Sequence, residues 1–280
     1  MAQPKTERTW SDIKVSSWEE LLSELHSSPV IPTQERQGGH RRSPYVFRGM
    51  SDASWPLQTS LERLGSPARW VEKPLMRAFE KYAPSQVVAR NSDWENLAVA
   101  QHNGLPTRLL DWTVSPLIAA HFATAEAQFK EVDGVIWCVH VDAVRDDLLP
   151  TSMKEGLLEA QAFVYNVHLL AAVFPSLETF DATEENEGDI LIFIEPPSID
   201  QRIHNQFGIL SAMNGSSKSH DEFLHRCYES RPDLVKRIVV ESGAKSEIRD
   251  MLDQNNITER MLFPGLPGLC SWLKRYYGPT

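Results

Sequence analysis

The sequence predicts an α+β fold, a single domain in which a mixed sheet is flanked by helices, and three observations carry that prediction. Strand-like apolar runs alternate irregularly with stretches of helical periodicity, and the early helices group together. Neither a G-x-G-x-x-G turn after a strand nor a G-x-x-x-x-G-K-[ST] loop occurs, which removes the common dinucleotide fold and the P-loop. At 280 residues, with 41% hydrophobic and 24% charged side chains, the chain can bury a sizeable core as an ordinary globular protein.

Residues 1–44 read as an N-terminal helix and loop ahead of the main domain, 45–280. In WEELLSELHS, 18–27, Trp18, Leu21, Leu22 and Leu25 recur at helical spacing behind the cap candidates Ser16 and Ser17. Residues 32–44 hold Gly, Pro and polar residues and read as a loop, with Arg36, His40, Arg41 and Arg42 a basic run that most simply is solvated. Tyr45, Val46 and Phe47 form a strand that Gly49 interrupts, leaving Arg48 at its end beside a residue that lets a backbone or a ligand approach closely. Residues 72–83 and 93–102 predict two helices. Ser115 and Pro116 start another, whose body to Ala125 is apolar apart from His121 and Thr124 and is packed on several sides.

GVIWCVHV, 134–141, predicts a buried central strand, with His140 a core histidine. Residues 155–173 read as one helix, 181–189 as an exposed acidic connector and 190–195 as a buried strand that Pro196 and Pro197 end. Residues 202–213, RIHNQFGILSAM, read as a strand with Gln206 and Gly208 near its middle; 234–241 is a strand, 245–254 a helix, and 262–277 closes the chain. No internal repeat or linker stands out.

No run approaches the roughly 18 apolar residues of a membrane span, and the first ten residues lack the apolar centre of a signal peptide, so the expectation is a cytoplasmic protein without membrane contact. Cys138, Cys227 and Cys270 are far apart and form no C-x-x-C pair, which argues against a disulfide framework or zinc site. A net charge of −10 builds in no long-range attraction to a nucleic-acid backbone.

The densest chemistry lies in QHNGLPTRLLDWTVSP, 101–116. The first turn of the helix after it offers free N–H groups and a positive dipole end, which favours a phosphate or carboxylate nearby, with Arg108, Asp111, Trp112 and Thr113 around it. The alternative is structural: Arg108 and Asp111 form an internal ion pair, Trp112 fills core and Thr113 caps.

Phe47-Arg48-Gly49, the block from Gln101-His102 through Thr107, Arg108, Asp111, Trp112 and Thr113, and Arg202 with Gln206 and Gly208 together resemble the FRG domain family, from about Tyr45 to Phe207 and on to 262–269. FRG domains are similar in motif layout to ADP-ribosyltransferases, which split NAD and pass its ADP-ribose to a protein or nucleic-acid acceptor. The resemblance implies NAD as substrate. Arg48 and Gly49 would hold its phosphates or ribose; Thr107, Arg108, Trp112 and Thr113 would shape the nicotinamide end; Gln206 would position the ribose.

The glutamate that such enzymes carry two residues after the glutamine is replaced here by Gly208. The negative charge that stabilises an oxocarbenium-like transition state would then come from Asp111, or from Glu195 at a strand end. His102 would act as general base toward the acceptor, or would cap its own helix. Two other readings stand beside this one: a non-catalytic nucleotide or nucleic-acid recognition module in a stress or phage-defence system, and a metal-dependent hydrolase built on Asp111, His102 and Glu95. The site set itself calls for no metal.

Overall fold

The computed structural model describes residues 10–27, 43–65, 68–84, 92–216 and 218–278. The basic run at 36–42 lies outside them. One eight-stranded mixed sheet organises the chain. Its strands are β1 (Asp12–Val15), β2 (Tyr45–Met50), β3 (Leu110–Thr113), β4 (Gly134–His140), β5 (Tyr165–Asn166), β6 (Leu191–Glu195), β7 (Gly208–Met213) and β8 (Val235–Val240), in the order β1-β8-β4-β2-β3-β7-β6-β5. The outer pairs β1–β8 and β5–β6 are parallel and the inner pairs antiparallel.

Helices cover both faces. Those used below are α1 (Trp18–His26), α2 (Ala68–Tyr82), α3 (Asp93–His102), α4 (Pro116–Thr124), α5 (Thr151–Glu159), α6 (Val167–Val173), α7 (Leu177–Asp181), α8 (Gln201–Gln206), α9 (His220–Ser230), α10 (Lys245–Gln254), α11 (Glu259–Leu262) and α12 (Leu266–Tyr276). None of the described helices is long and apolar enough to cross a membrane.

Side-chain alternation along the strands sorts the core into three clusters. Phe47, Ile136, Cys138, Ile238 and Val240 pack with α1, α4 and α10. Ile192, Ile194, Leu210 and Ala212 pack with Trp94, Leu97 and Ala98 of α3 and with α5 and α6. Val46, Met50, Trp112, Trp137, Val139 and Phe193 pack with Phe223 and Leu224 of α9.

Local chemistry explains where elements begin. Ser17 and Ser92 accept the N–H of Glu20 and Glu95 as N-caps, and Pro116 opens α4 at the one place where its missing N–H costs nothing. Gly49 is fixed by close approach: a Cβ there would lie 1.8 Å from the Ala119 carbonyl oxygen and 2.7 Å from the Ala123 nitrogen. What approaches it is therefore the backbone of α4, which sits directly on β2.

Several expectations need correction. The segment 155–173 is broken, because Gln161 takes a left-handed φ of 52° after α5 and the chain then adds β5 before α6. Residues 202–213 are not one strand: Asp200 caps α8, Phe207 takes φ 48°, and only then does β7 begin. The acidic connector contains the end of α7 and a further helical turn, Glu184–Glu187. The edge strand β1 was not expected at all.

Two buried histidines make the fold acid-sensitive. His121 on α4 accepts a hydrogen bond at Nδ1 from Arg249 of α10 at 2.8 Å, and burial, reinforced by that guanidinium, pushes its pKa from 6.5 down to about 3. Burial and the charge of Arg48 likewise bring His220 down to about 3. Between pH 6.5 and 3 the unfolded chain binds a proton at each site that the folded chain does not, so stability is lost as pH falls through this window. At pH 5 the loss is about 2 kcal/mol per histidine. His140, also buried and lowered by burial, adds to the loss in the same direction. Urea melts at pH 7 and pH 5 should read the total, and His121→Gln should remove about 2 kcal/mol of it.

Candidate functional site

β2 and β3 part company almost as soon as they meet. They pair only at Phe47↔Thr113, whereas β2 pairs with β4 along six residues. Continued register would set Gly49 opposite Asp111, but the strands have separated there, which frees the main-chain carbonyl of Asp111. The Arg48 side chain takes up that carbonyl, Nη1 donating to it at 2.6 Å. A cleft of about 290 Å³ opens at the split. Its walls come from β2 (Phe47, Arg48, Gly49), β3 (Asp111, Trp112, Thr113), α3 (Gln101, His102), α8 (Arg202, Gln206) and the start of β7, with Phe122 of α4.

Arg48 is the main cation of the wall. Its Nε is sealed from solvent without a hydrogen-bond partner, and among the described residues no carboxylate lies within ion-pair distance of it. Burial pulls its pKa below the ordinary arginine value; the charge of Asp111 opposes this and that of Arg63 adds to it. The nearby His220 stays neutral, so it adds no second positive charge beside the guanidinium. A partly buried guanidinium with a sealed Nε and no carboxylate partner is costly, and an anion in the cleft would relieve it.

Asp111 is set from behind by a relay. The Leu109 N–H donates to Thr107 Oγ1 at 3.2 Å, Thr107 Oγ1 donates to Gln101 Oε1 at 2.6 Å, and Gln101 Nε2 donates to Asp111 Oδ2 at 2.8 Å. The amide orientation of Gln101 is thereby fixed, and with it one oxygen of the carboxylate.

Beside it, His102 Nε2 lies 2.7 Å from Asp200 Oδ2, while Asp200 Oδ1 accepts the N–H groups of Arg202 and Ile203 at 2.8 and 3.3 Å. Partial desolvation would raise the pKa of Asp200, but the His102 bond and those two amides hold it below the usual carboxylate range. Arg202 and Phe122 line the cleft, and Phe263, outside the lining, contacts both: Arg202 stacks over it at 5.1 Å and Phe122 meets it edge-on at 6.2 Å.

The structure thus brings Arg48, Gly49, His102, Asp111, Trp112, Thr113 and Gln206 to one cleft. It leaves two expected residues outside. Thr107 is wholly buried behind the wall, where it acts on Asp111 only through Gln101. Arg108 points away, its guanidinium engaged by Glu72 and Asp181. The anticipated ion pair with Asp111 is therefore formed with other carboxylates. Trp112 is largely core: its indole N–H donates to Ser211 Oγ at 2.8 Å and its ring meets Phe193 edge-on.

Thr113 Oγ1 donates to the Gln206 carbonyl at 2.7 Å and accepts the Ser115 N–H, so it ties α8 to the start of α4. Gln206 donates its amide hydrogen to the Leu262 carbonyl at 3.1 Å. The first turn of α4 does not line the cleft, and neither does Glu195, exposed at the end of β6. α3 does run unbroken through Glu95 and His102, yet among the described residues no group of three or more His, Cys, Asp or Glu side chains is arranged to hold a metal ion.

Gln101, Phe122, Asp200, Arg202 and Phe263 were not assigned to the site from sequence. Gln101 and Arg202 stand in the stretches that resemble FRG domains, and Asp200 offers an N-cap signal directly before QRIHNQ.

Sheet and cleft together define a mixed α/β protein whose candidate site lies where the sheet splits between its two central strands. Residues 43–131 match the family model described as FRG domain. The stretch carrying β2, α2, α3, β3 and α4 is therefore similar to FRG domains, and Gln206 and Gly208 fall beyond the matched segment. No curated protein and no solved structure matches the chain.

Proposed function

We propose that the cleft binds NAD and transfers its ADP-ribose to a protein or nucleic-acid acceptor. The observation that carries this reading is the pairing, within one cleft, of an arginine lacking a carboxylate partner and a carboxylate held by an amide: Arg48 and Asp111. In this reading Arg48 and Arg202 receive the pyrophosphate, and the Phe122 ring flanks the ligand. Asp111 stabilises the positive charge that develops on the ribose as its C1′–N bond breaks and the electron pair leaves on nicotinamide. At about 290 Å³ the cleft is at the small end of ligand sites, so it takes part of the dinucleotide and leaves the rest at the surface.

Incubation with NAD labelled in its adenylate half, with separate pools of protein, DNA and RNA, should release nicotinamide and label one pool. Arg48→Ala should weaken NAD binding about 30-fold or more, the scale of losing one partner of a desolvated charge pair. Equal NAD binding by wild type and Arg48→Ala would reject the assignment.

A second reading, recognition of a nucleotide or nucleic acid without turnover in a stress or phage-defence system, is favoured by one feature. Gly208 stands where the glutamate would be, and Gln206 beside it commits one of its two amide hydrogens to the Leu262 carbonyl. It predicts saturable NAD binding with no nicotinamide released.

A further inference from the structure

We propose that His102 and Asp200 form a positioned general base, and that the acceptor is consequently a neutral O–H or N–H group that must lose a proton as it attacks; this rests on the ADP-ribosyl transfer reading above. Asp200 Oδ1 is pinned by the amides of Arg202 and Ile203, so Oδ2 is a fixed acceptor for His102 Nε2 at 2.7 Å. The proton of the neutral imidazole is thereby placed on Nε2 and the lone pair on Nδ1. Among the described residues Nδ1 has no hydrogen-bond partner, and it is not sealed from solvent.

Gln101, which holds Asp111, and His102 are consecutive residues in the last turn of α3. One helix end therefore presents the stabilising carboxylate and the base to the same cleft. In the step, the acceptor oxygen or nitrogen forms the bond to C1′, the bond to nicotinamide breaks with its electron pair, and the acceptor proton passes to His102 Nδ1. An acceptor that is already anionic needs no such base. Asp200 is a positioning residue, since it acts through His102.

The test uses NAD with methanol as a neutral acceptor and azide as an anionic one. Asp200→Asn preserves the cap of α8 but donates to Nε2, which moves the imidazole proton to Nδ1 and blocks the base. His102→Gln removes it. Both variants should lose about 10²-fold or more of nicotinamide release with water or methanol, through kcat with KM for NAD little changed. Azide should bring both back to within a few-fold of wild type, yielding azido-ADP-ribose.

Full methanol transfer in either variant, or failure of azide to restore release, overturns the proposal while leaving the ADP-ribosyl transfer reading in place. Absence of nicotinamide release from the wild-type protein with any of the three acceptors overturns both.

Discussion

Asp111→Asn is expected to slow nicotinamide release about 10²–10³-fold while changing NAD affinity only a few-fold. The substitution is nearly isosteric, and the Gln101 Nε2 donor at 2.8 Å can still be received by the asparagine oxygen, so the relay through Thr107 survives. The Arg48 contact survives too, because it is made to the main-chain carbonyl of residue 111. Only the negative charge is lost, and that charge matters most when the ribose becomes cationic. A loss confined to kcat would separate stabilisation of the transition state from binding. A large rise in KM with kcat intact would instead make Asp111 a binding group.

Glu72→Ala is expected to destabilise the fold by about 3–5 kcal/mol, on the order of 10 °C in Tm. Arg108 is 5% exposed, and Glu72 meets it along one edge, with Oε2 at 2.9 Å from Nε and 2.6 Å from Nη2, while Oε1 also accepts the Arg108 main-chain N–H at 3.2 Å. Removing Glu72 leaves a buried guanidinium with only the partly exposed Asp181 for company. Replacing Arg108 and Glu72 by methionine should recover most of the loss, because no buried charge is then stranded and the remaining carboxylate, Asp181, is partly exposed. Thermal melts of the single and double variants decide it. A single-variant loss below about 1 kcal/mol would remove Arg108 as the anchor of the segment leading into β3.

The contrast between Arg108 and Asp111 marks the limit of what could be read from the chain. Both stand in one dense polar block, and linear proximity made them look like partners. Strand geometry separates them: Asp111 and Thr113 lie on one face of β3 and Trp112 on the other, while Arg108 precedes the strand and turns to α2 and α7.

Elements with strong local signals were legible, notably α1 from its serine caps and apolar spacing, α4 from Pro116 at its start, and β4 and β6 from continuous apolar runs. Four-residue β1 was not, since an edge strand this short carries almost no periodicity and is fixed by pairing with β8. The break at Gln161 and the α8–β7 junction depend on single left-handed residues, Gln161 and Phe207, that nothing in composition announces.

The candidate site was half legible for the same reason. Arg48, His102, Asp111 and Gln206 sit in recognisable motifs, whereas Asp200 and Phe263 reach the site only because α8 and the chain after α11 fold back over the sheet split.

A crystal structure of the protein with a non-cleavable NAD analogue would show whether NAD occupies the cleft between β2 and β3. The pyrophosphate is expected against Arg48 and the nicotinamide ribose beside Asp111. An analogue bound elsewhere, or an empty cleft at saturating analogue, would contradict this placement.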